Sequence, residues 1–113
     1  MHELSVTQSL LEIALRHAEQ ASAQRITRLN LVIGELAGIV DDSVQFYWDI
    51  VSQGTIAERA ELCFERVPAK LRCLECGHTF SMDGRDYACP ACGETRVVAA
   101  GGDDFRLDSI EVE

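Results

Sequence analysis

No stretch of these 113 residues approaches the ~18–20 consecutive apolar side chains that a membrane-spanning helix requires. The opening Met1-His2-Glu3-Leu4-Ser5 also lacks a basic region followed by an apolar one, so the chain is expected to be cytoplasmic, with no membrane partner. Basic side chains are scarce. Ten Lys and Arg stand against nineteen Asp and Glu, for a net charge of −9. A phosphate backbone needs a basic partner surface, so this balance disfavours DNA and RNA. Glu35, Asp41 and Asp42 invite an acid–base reading, but neither a nucleophile nor a phosphate-cradling glycine loop accompanies them, and Gly34-Glu35-Leu36 is not a nucleotide motif. Enzymatic turnover is not expected. Low-complexity segments and repeats longer than a few residues are absent as well.

What is present is a pair of knuckles, Cys73-Leu-Glu-Cys76 and Cys89-Pro-Ala-Cys92, separated by the loop from Gly77 to Ala88. Two residues between cysteines let one tight turn aim both sulfurs at a single tetrahedral ion. Gly77 and Gly93 stand behind the knuckles, where such a turn requires a positive φ. Soft thiolates in that geometry select zinc, or less often iron. In a reducing compartment the motif reads as metal ligation rather than disulfides. The stretch from about Lys70 to Val98 is too short to bury a core of its own. Metal ligation must supply most of its folding free energy, on the order of 10–16 kcal/mol for a structural zinc. Lys70, Arg72, Arg85 and Arg96 there are matched by Glu75, Asp83, Asp86 and Glu94, and four thiolates around one zinc make the balance negative. Nucleic acid is again disfavoured.

The length suits one domain carrying a small appendage. Ser5 followed by Gln8 matches a capping box and predicts a helix from about Ser5 to Ser22, with Leu10, Ile13, Ala14 and Ala21 on its apolar face. Met1, His2 and Glu3 would then form a short exposed leader. Arg25 to Gly34 reads as a strand with Leu29, Leu31 and Ile33 alternating, and a second helix is expected to be capped at Asp41 or Asp42, to carry Val44, Tyr47, Trp48 and Val51, and to end at Gly54 as its C′ residue. Core packing is the main use expected of Phe46, Tyr47 and Trp48, and an exposed member of the trio would suit a partner contact. Glu61 to Val67 and Phe105 to Val112 read as strands, the latter with a slip of phase near Asp108-Ser109. The segment from Ala99 to Asp104 reads as a flexible polar joint. The order predicts an α+β domain, a small three-stranded sheet with two helices, formed by residues Met1 to Pro68 plus Asp103 to Glu113. A zinc-ribbon module from Ala69 to Gly102 is inserted into it.

A histidine at position two beside Glu3 adds imidazole, backbone nitrogens and a carboxylate, a donor set that suits square-planar nickel(II) or copper(II). Several segments, taken together, resemble the HypA/HybF family of hydrogenase maturation proteins. They are Met1-His-Glu-Leu-Ser, Leu31-Val-Ile-Gly-Glu-Leu-Ala-Gly-Ile-Val, Phe46-Tyr-Trp, Gly54-Thr-Ile-Ala, the two Cys-x-x-Cys pairs and the ending Ser109-Ile-Glu-Val-Glu. The resemblance implies a metallochaperone that passes Ni(II) toward the large-subunit precursor of a [NiFe] hydrogenase, with a nickel-handling GTPase as partner; urease is a further destination for some relatives. It implies nickel binding by His2 with backbone nitrogens, Glu3 close by, and structural zinc on Cys73, Cys76, Cys89 and Cys92. Some relatives add an aspartate before the second helix, where this chain has Val40, with Asp41 and Asp42 next to it.

Two other classes share the four-cysteine signature. A zinc ribbon that binds nucleic acid or protein would do so without nickel, and a rubredoxin-like iron site would carry electrons. Cys63 is expected to be a small half-buried hydrophobe, and His17 and His78 are not expected to be ligands.

Overall fold

The computed structural model describes residues 2–81 and 87–113, with the side chain of His2 outside that description. Along the chain run helix α1 (His2–Gln20), strand β1 (Ile26–Gly34), helix α2 (Asp41–Val51), β2 (Glu61–Val67), β3 (Lys70–Cys73), β4 (Thr79–Ser81), β5 (Val97–Gly101) and β6 (Phe105–Val112). Two three-stranded sheets result, ordered β2-β1-β6 and β4-β3-β5. The last strand thus returns to lie beside the first, giving the expected α+β class with a zinc-ribbon sheet. Two compact units emerge: Met1–Val32, Ile39–Glu65 and Arg106–Glu113 form one, and Ile33–Gly38 with Arg66–Phe105 the other.

In the first unit α1 packs against α2. Thr7, Leu10, Ala14 and Ala18 are buried along α1, at the three- and four-residue spacing of one helix face. Ile13, expected on that face, is 40% exposed. Leu29 and Leu31 bury one face of β1, while Arg28 and Asn30 on the other bond to Glu61 and to Ser109 and Glu111. Trp48 and Val44 fill the space under α2, and the indole Nε1 of Trp48 has no hydrogen-bond partner among the described residues. In β6, Phe105, Leu107 and Ile110 are half-buried, so the inward positions do slip by one residue.

Four expectations need correction. Helix α1 begins at His2 rather than Ser5, so His2 and Glu3 occupy its first turn and are not an extended leader. The capping-box pattern is overridden because the Glu3 carboxylate accepts a hydrogen bond from the Val40 N–H at 3.3 Å, a tertiary contact that local spacing cannot reveal. At its other end the helix stops at Gln20. There Ser22 takes φ 54°, Ala23 N–H donates to Ala18 C=O and Ser22 N–H to Glu19 C=O, the double closure of a Schellman turn. Neither Asp41 nor Asp42 caps α2: the N-cap is Val40, without a side-chain bond, and both aspartates lie in the first turn, where the helix dipole favours them. Its C-cap is Ser52, so the positive φ of Gly54 comes one residue later than a C′ position.

The fourth concerns Ala99 to Asp104, which is no flexible joint. Ala99 to Gly101 belong to β5, and Gly102 is buried. Within the second unit Gly34 N–H donates to Asp104 C=O at 2.8 Å, Glu35 N–H to Val67 C=O at 2.9 Å and Leu36 N–H to Gly102 C=O at 2.6 Å. Backbone meets backbone so closely that a Cβ on Gly34 would stand 2.2 Å from Gly102 O, and one on Gly102 would stand 2.4 Å from Pro68 O. Glycine is required here for approach, not for mobility. Gly34→Ala and Gly102→Ala are each expected to cost roughly 2–4 kcal/mol. Urea unfolding followed by circular dichroism checks this, and a change within about 0.5 kcal/mol would mean the crossing relaxes.

Candidate metal sites

The ribbon's strands bring its two knuckles together. Antiparallel pairing sets Leu71 opposite Phe80 on β4 and Ala99 on β5, with Cys73 opposite Val97. Each knuckle repeats one backbone pattern. Cys73 N–H donates to His78 C=O and Gly77 N–H to Cys73 C=O; in the second knuckle Cys89 N–H donates to Glu94 C=O and Gly93 N–H to Cys89 C=O. Gly77 and Gly93 both adopt φ 78°, and a Cβ on either would meet nothing within 4 Å. Only the left-handed backbone, not crowding, calls for glycine there.

All four sulfurs lie within 4.8 Å of one another, with Cys73 to Cys92 and Cys76 to Cys89 at 3.6 Å. A tetrahedron with Zn–S bonds of about 2.3 Å has edges of about 3.8 Å, whereas a disulfide would need sulfurs at about 2.05 Å. The donor set therefore fits a tetrahedral soft-ligand ion. Cys73 and Cys89 are buried, while Cys76 and Cys92 face solvent. The Cys76 N–H lowers the Cys73 thiol to about 7, with help from the Glu75 N–H, against desolvation. At Cys92 the Glu94 N–H pulls downward, but desolvation and the hydrogen bonds to Cys73, Cys76 and Cys89 push the thiol up to about 12. A divalent ion among the four sulfurs would favour the thiolate form of each. Ala91 N–H also points at Cys89 Sγ, at 3.4 Å. His78 stacks on Phe80 at 6.1 Å and serves the knuckle through its carbonyl, not as a ligand of the sulfur quartet.

At the other candidate site, His2 opens α1 but its imidazole lies outside the described residues. Glu3 is described. Its carboxyl is held below the ordinary 4.5, first by its own backbone N–H and then by the Val40 N–H. Asp41 accepts from Asp42 N–H at 2.9 Å. Two participants escaped sequence reasoning. Thr7 is fully buried and donates its hydroxyl to Glu3 C=O at 2.5 Å, and the Val40 amide holds the Glu3 carboxylate. A backbone amide carries no residue signature, so the sequence marks Val40 only as the position where some relatives carry an aspartate, not as a donor to Glu3. Cys63 is half-buried in β2, and His17 is exposed on α1.

The family model described as hydrogenase/urease nickel incorporation, metallochaperone, HypA, matches residues 1–112. A hydrogenase maturation factor HypA of Dehalococcoides mccartyi is 48% identical over 113 residues, spanning 100% of this chain and 95% of that relative. Another, from Caldanaerobacter subterraneus subsp. tengcongensis, is 44% identical over 114 residues and spans 100% of both. The solution structure of the Ni metallochaperone HypA from Helicobacter pylori is similar at a TM-score of 0.69 and 26% identity, covering 97% of this chain and 96% of that one. A solution structure of a HypA protein gives 0.76 at 28% identity, covering 100% and 97%.

Two outcomes are expected from this geometry. Cobalt(II) added to the metal-free protein should give thiolate charge-transfer bands that saturate at about one equivalent, and Gly77→Ala should cost about 1 kcal/mol, roughly a fivefold loss in zinc affinity. Identical affinities in competition with a chelator would show that the left-handed turn carries no cost. For Glu3, the folded pKa lies below the unfolded 4.5, so its stabilisation is complete above 4.5 and is lost as pH falls through the lowered value. Glu3→Gln should therefore be less stable than wild type at neutral pH, the gap closing in acid. A gap that stays constant across thermal melts at descending pH would refute the assignment.

Proposed function

The chain belongs to the HypA family of hydrogenase/urease nickel-incorporation metallochaperones, and we propose that it binds one Ni(II) at His2 and Glu3 and delivers it during maturation of [NiFe] hydrogenase. The observation that carries the reading is the family match over residues 1–112, joined to a His-Glu pair in the first turn of a helix. Zinc held by Cys73, Cys76, Cys89 and Cys92 is the resident ion that keeps the ribbon folded. Nickel is cargo. The proposed division of the chain assigns residues Met1 to Pro68 with Asp103 to Glu113 to the nickel domain and Ala69 to Gly102 to the inserted ribbon. The partners proposed are a nickel-handling GTPase and the hydrogenase large-subunit precursor. No catalytic turnover is involved, and the proposed compartment is the cytoplasm, where thiols stay reduced.

The start of α1 at His2 supports cargo chemistry. The first four N–H groups of a helix have no intrahelical acceptor, so a backbone nitrogen there can lose its proton to nickel without breaking the helix. The same end carries the positive pole of the helix, which opposes a bound cation by roughly 0.3–1 kcal/mol. Glu3 offsets that opposition with its charge. An imidazole and amides without any thiolate give a site able to surrender its ion to a better donor set.

His2→Ala is expected to abolish stoichiometric nickel binding while leaving zinc content and circular dichroism unchanged. Isothermal titration with Ni(II) tests it, and an unaltered isotherm would sink the assignment. A tag fused directly before Met1 should weaken binding if the free amine contributes; full retention would confine the ligands to the side chain and internal amides.

A further inference from the structure

Helix α2 divides its aromatic residues between two uses. Trp48 is 1% exposed, whereas Phe46 is 60% and Ile50 52% exposed. One helical turn separates the latter two, placing them about 40° apart around the axis as a continuous apolar ridge. Asp42 and Asp49 are exposed on the flank away from Ile50, at about 40–60° from Phe46, and no residue of α2 is basic. Phe46 and Tyr47 meet edge to face at a centroid distance of 5.3 Å and an interplanar angle of 72°.

We propose that the Phe46–Ile50 ridge is a docking surface for a partner protein presenting an apolar groove with a rim of lysine or arginine. Resting on the reading above, that partner is the nickel-handling GTPase. Two apolar anchors at i and i+4 are what a helix offers to a groove, and an aromatic anchor carries a large share of such binding. The acidic flank selects the sign of the rim. It also argues against a second copy, because a twofold contact on this ridge would set Asp42 and Asp49 against their own counterparts. Position favours the same partner. The N-cap amide of α2, at Val40, is held by the Glu3 carboxylate, so a protein seated on α2 stands beside the amino-terminal turn.

Calorimetric titration of the purified GTPase into the zinc-loaded chain tests the surface. Phe46→Ser and Ile50→Ser are expected to weaken association on the order of tenfold or more, with Phe46→Leu recovering most of it. Asp42→Asn with Asp49→Asn should flatten the salt dependence. Phe46→Ser and Ile50→Ser should still take up nickel as wild type does, so the nickel titration reads the functional assignment separately from the docking. Phe46→Ser affinity within about twofold of wild type, or no association of the wild type at low salt, would overturn the proposal. So would a concentration-dependent dimer in sedimentation that Phe46→Ser abolishes.

Discussion

Four sulfurs held within 4.8 Å of one another cannot all carry charge unless a cation lies among them. Little else could organise the ribbon. Among its described residues from Ala69 to Gly102, the buried side chains are Ala69, Leu71, Cys73 and Cys89, so two of four belong to the metal quartet. The ion serves as the core, and the strands β3, β4 and β5 can stay short because they only have to aim two turns at it. The identical backbone bonds of the two knuckles follow from the same demand, since each must present two sulfurs to one point.

The amino-terminal turn meets the opposite requirement. In the proposed nickel site the backbone amides and Glu3 belong to the first turn of α1, whose positive pole opposes a cation and is offset by the Glu3 charge. What keeps this turn in place is not its ligands but two contacts behind them, the Thr7 hydroxyl on Glu3 C=O and the Val40 amide on the Glu3 carboxylate. A site built this way would keep its shape when the ion leaves, because the Thr7 hydroxyl bonds a carbonyl that is not among the proposed ligands. The ribbon cannot do so. The contrast between resident and travelling ions is thus a contrast in where the surrounding structure gets its stability.

Features that depend on near neighbours in the chain were legible in the sequence. The knuckles, the bounds of β2 and β6 and the α+β order follow from spacing and alternation within a few residues. Features that depend on distant backbone were not. The start of α1 was misplaced because Ser5 and Gln8 match a local capping pattern, while the group that sets the turn is an amide from Val40. Helix α2 needs no aspartate at its N-cap because Asp42 N–H donates to the Asp41 carboxylate and Ser43 N–H to Val40 C=O. Gly101-Gly102 read as mobile because glycine frees a chain in isolation. Here it lets Gly102 press against Gly34 and Pro68, a purpose visible only once the three segments are brought together. Phe46, Tyr47 and Trp48 could not be divided between core and surface without knowing which side of α2 is covered.

The acid surplus links cargo and partner. Arg16, Arg25, Arg28 and Arg96 are engaged with Glu12, Glu113, Glu61 with Glu111, and Glu75. These pairs are exposed and add at most about 1 kcal/mol each to stability, but they neutralise much of the scarce basic charge. The remaining field is negative and extends about 8 Å at physiological ionic strength, so it acts on encounter rather than on holding. A nickel ion and the basic-rimmed partner proposed above would be drawn by the same field.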